Sequence, residues 1–150
     1  MTHAVLVHAT AVEIEGAAVL LRGPPGAGKS DLALRLIDGG ARLVADDQTE
    51  LRRAGNRILV DAPSEIAGLI EIRGIGILHV DAAGSTPLAL LVDLVPAAQV
   101  DRLPENRFEK VLGLAVPLIA LAGFEASAAA KLRLARRAFP APQVPAILGR

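Results

Sequence analysis

Short apolar runs, separated by glycine, proline or charged residues, recur along the chain. Runs of this kind, rich in Val, Leu and Ile, predict β-strands. We predict strands at residues 4–9, 11–15, 18–21, 42–45, 57–60, 71–80, 88–95 and 116–121. The first two are expected to form a hairpin or a bent pair. The uninterrupted third run suits a central strand that is covered on both faces.

Two segments have helical character. Apolar residues follow helical spacing in residues 30–38, and Gly39-Gly40 then supplies the glycine that a helix end favours. Residues 124–139 are rich in Ala, Leu, Lys and Arg, which are good helix formers. We expect residues 96–110, which are polar and carry two prolines, to form a surface loop with room for one helical turn, and residues 140–150 to form a loose tail.

The segment between the third strand and the first helix carries a motif. It matches the phosphate-binding pattern G-x-x-x-x-G-K-[ST] in full, as Gly23, Pro24, Pro25, Gly26, Ala27, Gly28, Lys29 and Ser30. Glycines let backbone N–H groups turn toward phosphates, and the helix start adds partial positive charge. Lys29 is expected to reach the outer phosphates and Ser30 to ligate Mg²⁺, so we predict that this loop binds ATP with Mg²⁺.

These elements predict an α/β fold. There is no internal repeat and no linker, so residues 1–150 are expected to form a single P-loop domain. Its core should be mostly β. The phosphate-binding loop lies between a central strand and a helix, and a second helix lies near the C-terminus.

Two adjacent carboxylates, Asp46 and Asp47, follow the strand at 42–45. In open α/β sheets ligands lie outside the carboxyl ends of strands, so this pair should face the phosphate loop. One carboxylate can help to hold Mg²⁺ while the other accepts a proton from a substrate hydroxyl, and their spacing leaves the assignment open. Asp93, which ends another apolar run, is an alternative carboxylate on the metal side.

The composition of the chain excludes several kinds of site and partner. The chain has no cysteine, which excludes disulfides, thiolate metal sites and a Cys nucleophile. Its 16 basic and 16 acidic residues balance, and it lacks Trp and Tyr, so nucleic acid is not an expected partner. No apolar run approaches the roughly 18–20 residues of a membrane span, and no signal peptide is evident, so we expect a cytoplasmic protein without a membrane association.

Three stretches resemble the bacterial HPr kinase/phosphorylase family. The first is His8 with the strands that lead into the phosphate loop. The second is residues 40–47, Gly-Ala-Arg-Leu-Val-Ala-Asp-Asp, and the third is residues 70–80, Ile-Glu-Ile-Arg-Gly-Ile-Gly-Ile-Leu-His-Val. The third stretch is unusual among P-loop proteins and is therefore the most specific.

The resemblance implies roles for individual residues. The active-site histidine of the family falls on His8, its lysine on Lys29 and its general base on Asp47. Its Mg²⁺ ligands fall on Ser30 and Glu71, and a further catalytic arginine falls on Arg102. In an extended strand, Glu71 would also share one face with Arg73, placing a metal ligand and a phosphate-facing cation on the same side.

The resemblance also implies the reaction. It predicts an ATP- and Mg²⁺-dependent serine kinase that acts on an HPr-like phosphocarrier protein, assembled as a hexamer. The family's arginine-containing loop, associated with dephosphorylation, should fall near residues 121–126, which contain no arginine. We therefore expect kinase rather than phosphorylase activity. A P-loop kinase of a small metabolite or nucleotide, and a non-catalytic ATP-binding sensor, are the alternatives.

Overall fold

A computed structural model describes residues 3–139. The strands are β1 (Ala4–Val7), β2 (Thr10–Ile14), β3 (Ala17–Arg22), β4 (Arg42–Ala45), β5 (Thr49–Ala54), β6 (Arg57–Asp61), β7 (Leu69–Ile72), β8 (Gly76–His79), β9 (Thr86–Leu94), β10 (Arg107–Val111) and β11 (Leu114–Leu121). The helices are α1 (Lys29–Asp38) and α2 (Ala128–Ala138), with 3₁₀ turns at Ser64–Ile66 and Ala97–Gln99. The predicted α/β fold with a mostly β core and a C-terminal helix is confirmed. The predicted loose tail at 140–150 lies outside the described residues.

The main sheet is built around β3 and β9. Its strand order is β1-β5-β6-β9-β3-β2-β4, and β11 adds to β9 with β10 beside it. The long strand β9 pairs along one edge with β3; on its other edge it pairs with β6 near its start and with β11 near its end. β7 and β8 form a separate two-stranded hairpin.

Both faces of β3 are covered, as its continuous apolar run predicts. Val19 and Leu21 belong to a core cluster that includes α1 and α2 side chains such as Leu36 and Leu132. Leu20, one position between them, belongs to a second cluster with side chains of β5 and β6 on the opposite face. The alternation of side chains along a strand therefore divides one apolar run between two cores.

The N-terminal strands differ from the predicted hairpin. β1 pairs with β5, whereas β2 forms its hairpin with β3. The pattern predicts no strand at Thr49–Ala54, which charged residues interrupt, yet this segment forms β5 and is joined to β6 by the two-residue turn Gly55-Asn56. A Gly-Asn pair between two strand-forming runs is a hairpin signal that could have identified it.

Three further boundaries differ from the predictions. The single strand predicted at 71–80 is a hairpin, with a turn at residues 73–75 between β7 and β8. The predicted loop at 96–110 ends in strand β10, which pairs with β11 across a short turn. The C-terminal helix begins at Ala128 instead of residue 124, because residues 122–127 form the connection from β11.

An ion-pair group ties β3, β9 and β10 together. The Arg22 guanidinium donates from Nε to Asp93, at 2.8 Å, and from both terminal nitrogens to Glu109, at 2.7 and 2.8 Å. The hydrogen bond from Arg22 lowers the pKa of Glu109 below its ordinary value near 4.5, and Glu109 in turn raises the pKa of Arg22.

Neither helix of the described chain is long and apolar enough to span a bilayer.

Leu36→Ala tests the contribution of the helix-facing core. Leu36 is fully buried on α1, so its truncation leaves a cavity and should lower the free energy of unfolding by about 2–5 kcal/mol. Urea denaturation measures this change. Leu134→Ala on α2 is the control, because Leu134 is 65% exposed and its truncation should change stability by less than about 1 kcal/mol. Equal effects of the two substitutions would contradict the packing described here.

Glu109→Gln tests the ion-pair group through the pH dependence of stability. The pKa of Glu109 is lowered in the folded state, so its contribution is present above about pH 4.5 and is lost as the pH falls through the lowered value. Between about pH 6 and about pH 3, the variant should therefore lose less stability than the wild type in urea titrations. Glu105→Gln, in the exposed loop before β10, is the control. Parallel pH profiles for wild type and Glu109→Gln would contradict the prediction.

Candidate active site

Four strands of the main sheet end at one edge of the molecule. β9 runs parallel to β3, and β11 runs parallel to β9. β4 points the same way as β3, because both are antiparallel to β2, which lies between them. The loops that follow these four strands therefore gather at one carboxyl edge, which is where ligands bind in open α/β sheets.

The glycine-rich loop of residues 23–28 joins β3 to α1 at this edge. Gly28 has a φ of 102°, in the left-handed region that favours glycine, and α1 begins directly after it. In the described chain no side chain caps this helix start. The N–H groups of the first turn can therefore bind an anion.

Lys29 folds back over this loop. Its Nζ donates to the carbonyl oxygens of Gly23, at 2.6 Å, and of Pro24, at 3.2 Å, and the residue is only 8% exposed. A lysine ammonium has three donors, so one remains for a phosphate oxygen while the other two hold the loop. The side chain is thus positioned at the loop that the motif assigns to phosphates.

Asp46 is the most connected side chain at this edge. It is buried, and its Oδ1 accepts hydrogen bonds from Ser30 Oγ at 2.8 Å and from Thr10 Oγ1 at 3.2 Å. Its Oδ2 accepts the backbone N–H of Glu71 at 3.0 Å. One carboxylate thereby joins the start of α1, strand β2 and the hairpin strand β7.

Asp47 has a different environment from its neighbour. A hydrogen bond from Gln48 N–H to the Asp46 carbonyl, at 2.8 Å, closes a three-residue turn around Asp47, which has a φ of 70°. Left-handed backbone is uncommon outside glycine, and aspartate is among the residues that tolerate it. The Asp47 N–H donates to Thr10 Oγ1 at 3.0 Å, so the hydroxyl that binds Asp46 also supports this turn.

The turn directs the Asp47 carboxylate to solvent and to His8. His8 Nε2 donates to Asp47 Oδ1 at 2.6 Å, and both side chains are more than half exposed. The pair is therefore accessible to a second molecule, whereas Asp46 is not. The chain thus places one carboxylate against the serine of the glycine-rich motif and one facing solvent.

The remaining predicted residues are less closely joined to this group. Glu71 contributes its backbone N–H to Asp46, and its side chain is exposed. Arg73 lies in the turn after β7, so the expectation that it shares a strand face with Glu71 is wrong. Arg102 lies in the exposed loop between the 3₁₀ turn Ala97–Gln99 and β10. In residues 3–139 neither arginine makes a hydrogen bond to the other site residues.

The alternative carboxylate, Asp93, is occupied elsewhere. It accepts the Arg22 Nε–H on the sheet face opposite α1, the same face as Leu20 and Leu91. Ser30 lies at the start of α1 on the other face. The structure therefore favours Asp46 over Asp93 as the carboxylate beside the motif serine.

The oxygen atoms at this site suit Mg²⁺. Ser30 offers a hydroxyl oxygen and Asp46 offers carboxylate oxygens. Glu71, whose backbone N–H donates to Asp46, has an exposed side-chain carboxylate. In the described chain no group of three or more His, Asp and Glu forms a ready-made metal cage. The hydroxyl and carboxylate oxygens fit Mg²⁺, which usually binds through one or two protein carboxylates together with substrate phosphates and water.

Thr10 belongs to this site but is not among the residues that the sequence predicts for it. It falls between the two predicted N-terminal strands, and no motif singles it out, yet its buried hydroxyl donates to Asp46 and accepts from Asp47 N–H. A lone threonine between two apolar runs is the only available signal. Its role depends on pairing between β2 and β4, which the local sequence does not specify.

Comparison with known proteins identifies similar chains. Residues 1–132 match the family model described as the HPr serine kinase C-terminal domain. The chain is 41% identical over 114 residues to the HPr kinase/phosphorylase of Caldanaerobacter subterraneus subsp. tengcongensis, a match that covers 73% of this chain and 37% of that protein. A second relative, the HPr kinase/phosphorylase of Peptoclostridium acidaminophilum, is 40% identical over 112 residues, covering 72% of this chain and 36% of the relative.

A solved structure is also similar. The HPr(Ser) kinase/phosphatase from Coxiella burnetii matches with a TM-score of 0.79 and 30% sequence identity, covering 88% of this chain and 93% of that one. By contrast, this chain spans little more than a third of the length of the two curated relatives.

Thr10→Val tests the support of the two aspartates. The substitution keeps the side-chain shape but removes the acceptor of the Asp47 N–H and one of the two hydroxyl donors to Asp46 Oδ1, so the free energy of unfolding should fall by about 1–3 kcal/mol in urea titrations. Thr10→Ser retains the hydroxyl and should recover most of that loss. Equal destabilisation by both variants would assign the effect to packing instead of hydrogen bonding.

Proposed function

This chain belongs to the family of HPr serine kinase C-terminal domains, and from that premise we propose that it transfers the γ-phosphoryl group of ATP to a serine hydroxyl of an HPr-like phosphocarrier protein. The observation that carries the proposal is the contact between Ser30 and the buried Asp46, next to the exposed Asp47–His8 pair. It supports the proposal because a metal ligand and a general base are both needed at the carboxyl edge for this transfer.

The loop of residues 23–30 would hold the phosphates of ATP. Its glycine backbone and the uncapped start of α1 supply N–H donors, and Lys29 supplies a positive charge. Ser30 and Glu71 would hold Mg²⁺, with Asp46 accepting the Ser30 hydroxyl proton in its hydrogen bond, which leaves the serine lone pairs for the metal. The ion, when bound, neutralises charge on the transferred phosphoryl group.

Asp47 is assigned the role of general base. The acceptor serine hydroxyl loses its proton to the Asp47 carboxylate, its oxygen forms a bond to the γ-phosphorus, and the bond from that phosphorus to the β–γ bridging oxygen breaks to release ADP. His8 donates to the same carboxylate and thereby fixes its orientation. Arg73 and Arg102 are exposed cations that we assign to the phosphates or the acceptor once both ligands are present.

The proposal is restricted to the forward reaction. The connection after β11 carries Phe124 and Glu125 and lacks arginine, although the names of the relatives include a phosphorylase or a phosphatase. An acceptor within the phosphotransferase system also implies action in the cytoplasm, where ATP is available. The hexamer implied by the family resemblance stays a prediction.

Asp47→Asn tests the mechanism. The amide keeps the size of the side chain but cannot accept the serine proton, so transfer of ³²P from labelled ATP to HPr should fall by about 10²–10⁴-fold. Binding of MgATP, measured by calorimetry, should stay close to that of the wild type, because Asp47 is not among the loop residues. Asp38→Asn, an exposed aspartate at the end of α1, is the control and should leave transfer unchanged.

Three outcomes would contradict the proposal. Full transfer by Asp47→Asn would remove Asp47 from the role of base. Transfer by the wild type to nucleosides but not to HPr would favour a metabolite kinase. Tight MgATP binding by the wild type without transfer to any acceptor would favour a sensor.

A further inference from the structure

An apolar cavity opens beside the phosphate loop, on the side away from Asp46. Its volume is about 550 Å³, within the range of about 300–1,000 Å³ that is usual for small-molecule sites. Three segments line it: the phosphate loop with Pro24 and Pro25, the end of β9 and the connection after it with Leu94 and Pro96, and the connection after β11 with Phe124. It therefore lies at the carboxyl ends of β9 and β11.

The connection after β11 is held tightly against the phosphate loop. A Cβ added at Gly123 would lie 2.6 Å from the carbonyl oxygen of Ala27, so only glycine allows this approach. Arg35, on α1, donates to the carbonyl oxygens of Gly123 and, at 3.0 Å, of Glu125. The helix that follows the phosphate loop thus fixes the backbone on both sides of Phe124.

Phe124 contributes an aromatic ring to the lining of this cavity. A Cβ added at Gly28 would lie 3.2–3.3 Å from three atoms of the ring, so the ring packs over the last glycine of the phosphate loop. The residue is nevertheless 66% exposed. The chain has three phenylalanines and no Trp or Tyr. The backbone on both sides of this exposed ring is fixed by hydrogen bonds from Arg35, so the ring can stack with an aromatic ligand without first being ordered.

We propose that this cavity binds the nucleobase of ATP, which stacks against Phe124. The inference rests on the proposed function, because it needs the phosphates on the loop of residues 23–30. The carboxylates Asp46 and Asp47 follow β4 on one side of that loop, and the cavity follows β9 and β11 on the other. A nucleotide lying along the carboxyl edge thus directs its γ-phosphate to Asp47 and its base to Phe124.

The chemistry of the cavity favours a base over the other parts of ATP. Its lining is mainly proline, leucine, alanine and phenylalanine, and Glu125, the one charged side chain in it, is paired with Lys131 at 3.1 Å. Such a surface offers little to a phosphate or a ribose hydroxyl, whereas a flat base gains from stacking on an aromatic ring.

Comparison of MgATP with magnesium tripolyphosphate, which has no base, tests the proposal in the full chain by calorimetry. Phe124→Ala should weaken MgATP binding by about tenfold, as expected for loss of one base–aromatic stack, and should leave tripolyphosphate binding unchanged. Phe124→Tyr keeps the ring and should retain the wild-type affinity. Phe108→Ala, which removes a half-exposed ring on β10 outside the cavity, should affect neither ligand.

The outcomes separate this proposal from the proposed function. A wild type that binds tripolyphosphate as tightly as MgATP, or a Phe124→Ala variant that binds MgATP as the wild type does, would overturn the base site alone. In the second case, a raised KM for HPr in Phe124→Ala would assign the ring to acceptor docking. A wild type that binds neither ligand would overturn the proposed function and the base site with it.

Discussion

The arrangement of this site depends on one buried carboxylate. Asp46 receives hydrogen bonds from Ser30, Thr10 and the Glu71 backbone, which come from the start of α1, from β2 and from β7. A buried carboxylate without donors would be costly, so the three elements are held where their donors reach it. In the separate hairpin β7–β8, Ile70 is buried in the core that faces α1, and the bond from Glu71 N–H to Asp46 adds a polar contact between β7 and the carboxyl edge.

The two carboxylates of the acidic pair have different environments, because Asp46 is buried and Asp47 is exposed. Because Asp46 is buried and already bonded, it can orient Ser30, the proposed metal ligand, and is not accessible to a protein substrate. Asp47 is turned outward by its left-handed backbone, a conformation that costs of order 1–3 kcal/mol and persists only where surrounding contacts enforce it. Thr10 supplies one of those contacts, and so a single hydroxyl keeps two neighbouring carboxylates in opposite environments.

The elements that could be predicted from the sequence are those that interactions between neighbouring residues specify. The glycine loop, α1 and the strand β3 have patterns that few other structures satisfy, and they lie where they were expected. Strands β5 and β10 are rich in charged residues and lie toward the margins of the sheet, so they lack the apolar signature of buried strands. The apolar pattern of residues 71–80 predicts one strand, whereas Gly74, with a φ of 89°, lies in the turn that separates β7 from β8.

The contacts at the site could not be obtained from the sequence in the same way, because they join distant segments. Phe124 meets Gly28 only through the parallel pairing of β11 with β9 and of β9 with β3, and nothing near residue 124 encodes that pairing. The consequence is a carboxyl edge with two unlike halves. Acidic side chains follow β4, apolar surface follows β9 and β11, and the glycine-rich loop lies between them. A ligand that satisfies all three regions must be anionic in its middle, compatible with a metal at one end and flat and apolar at the other, which is the chemical order of a nucleoside triphosphate.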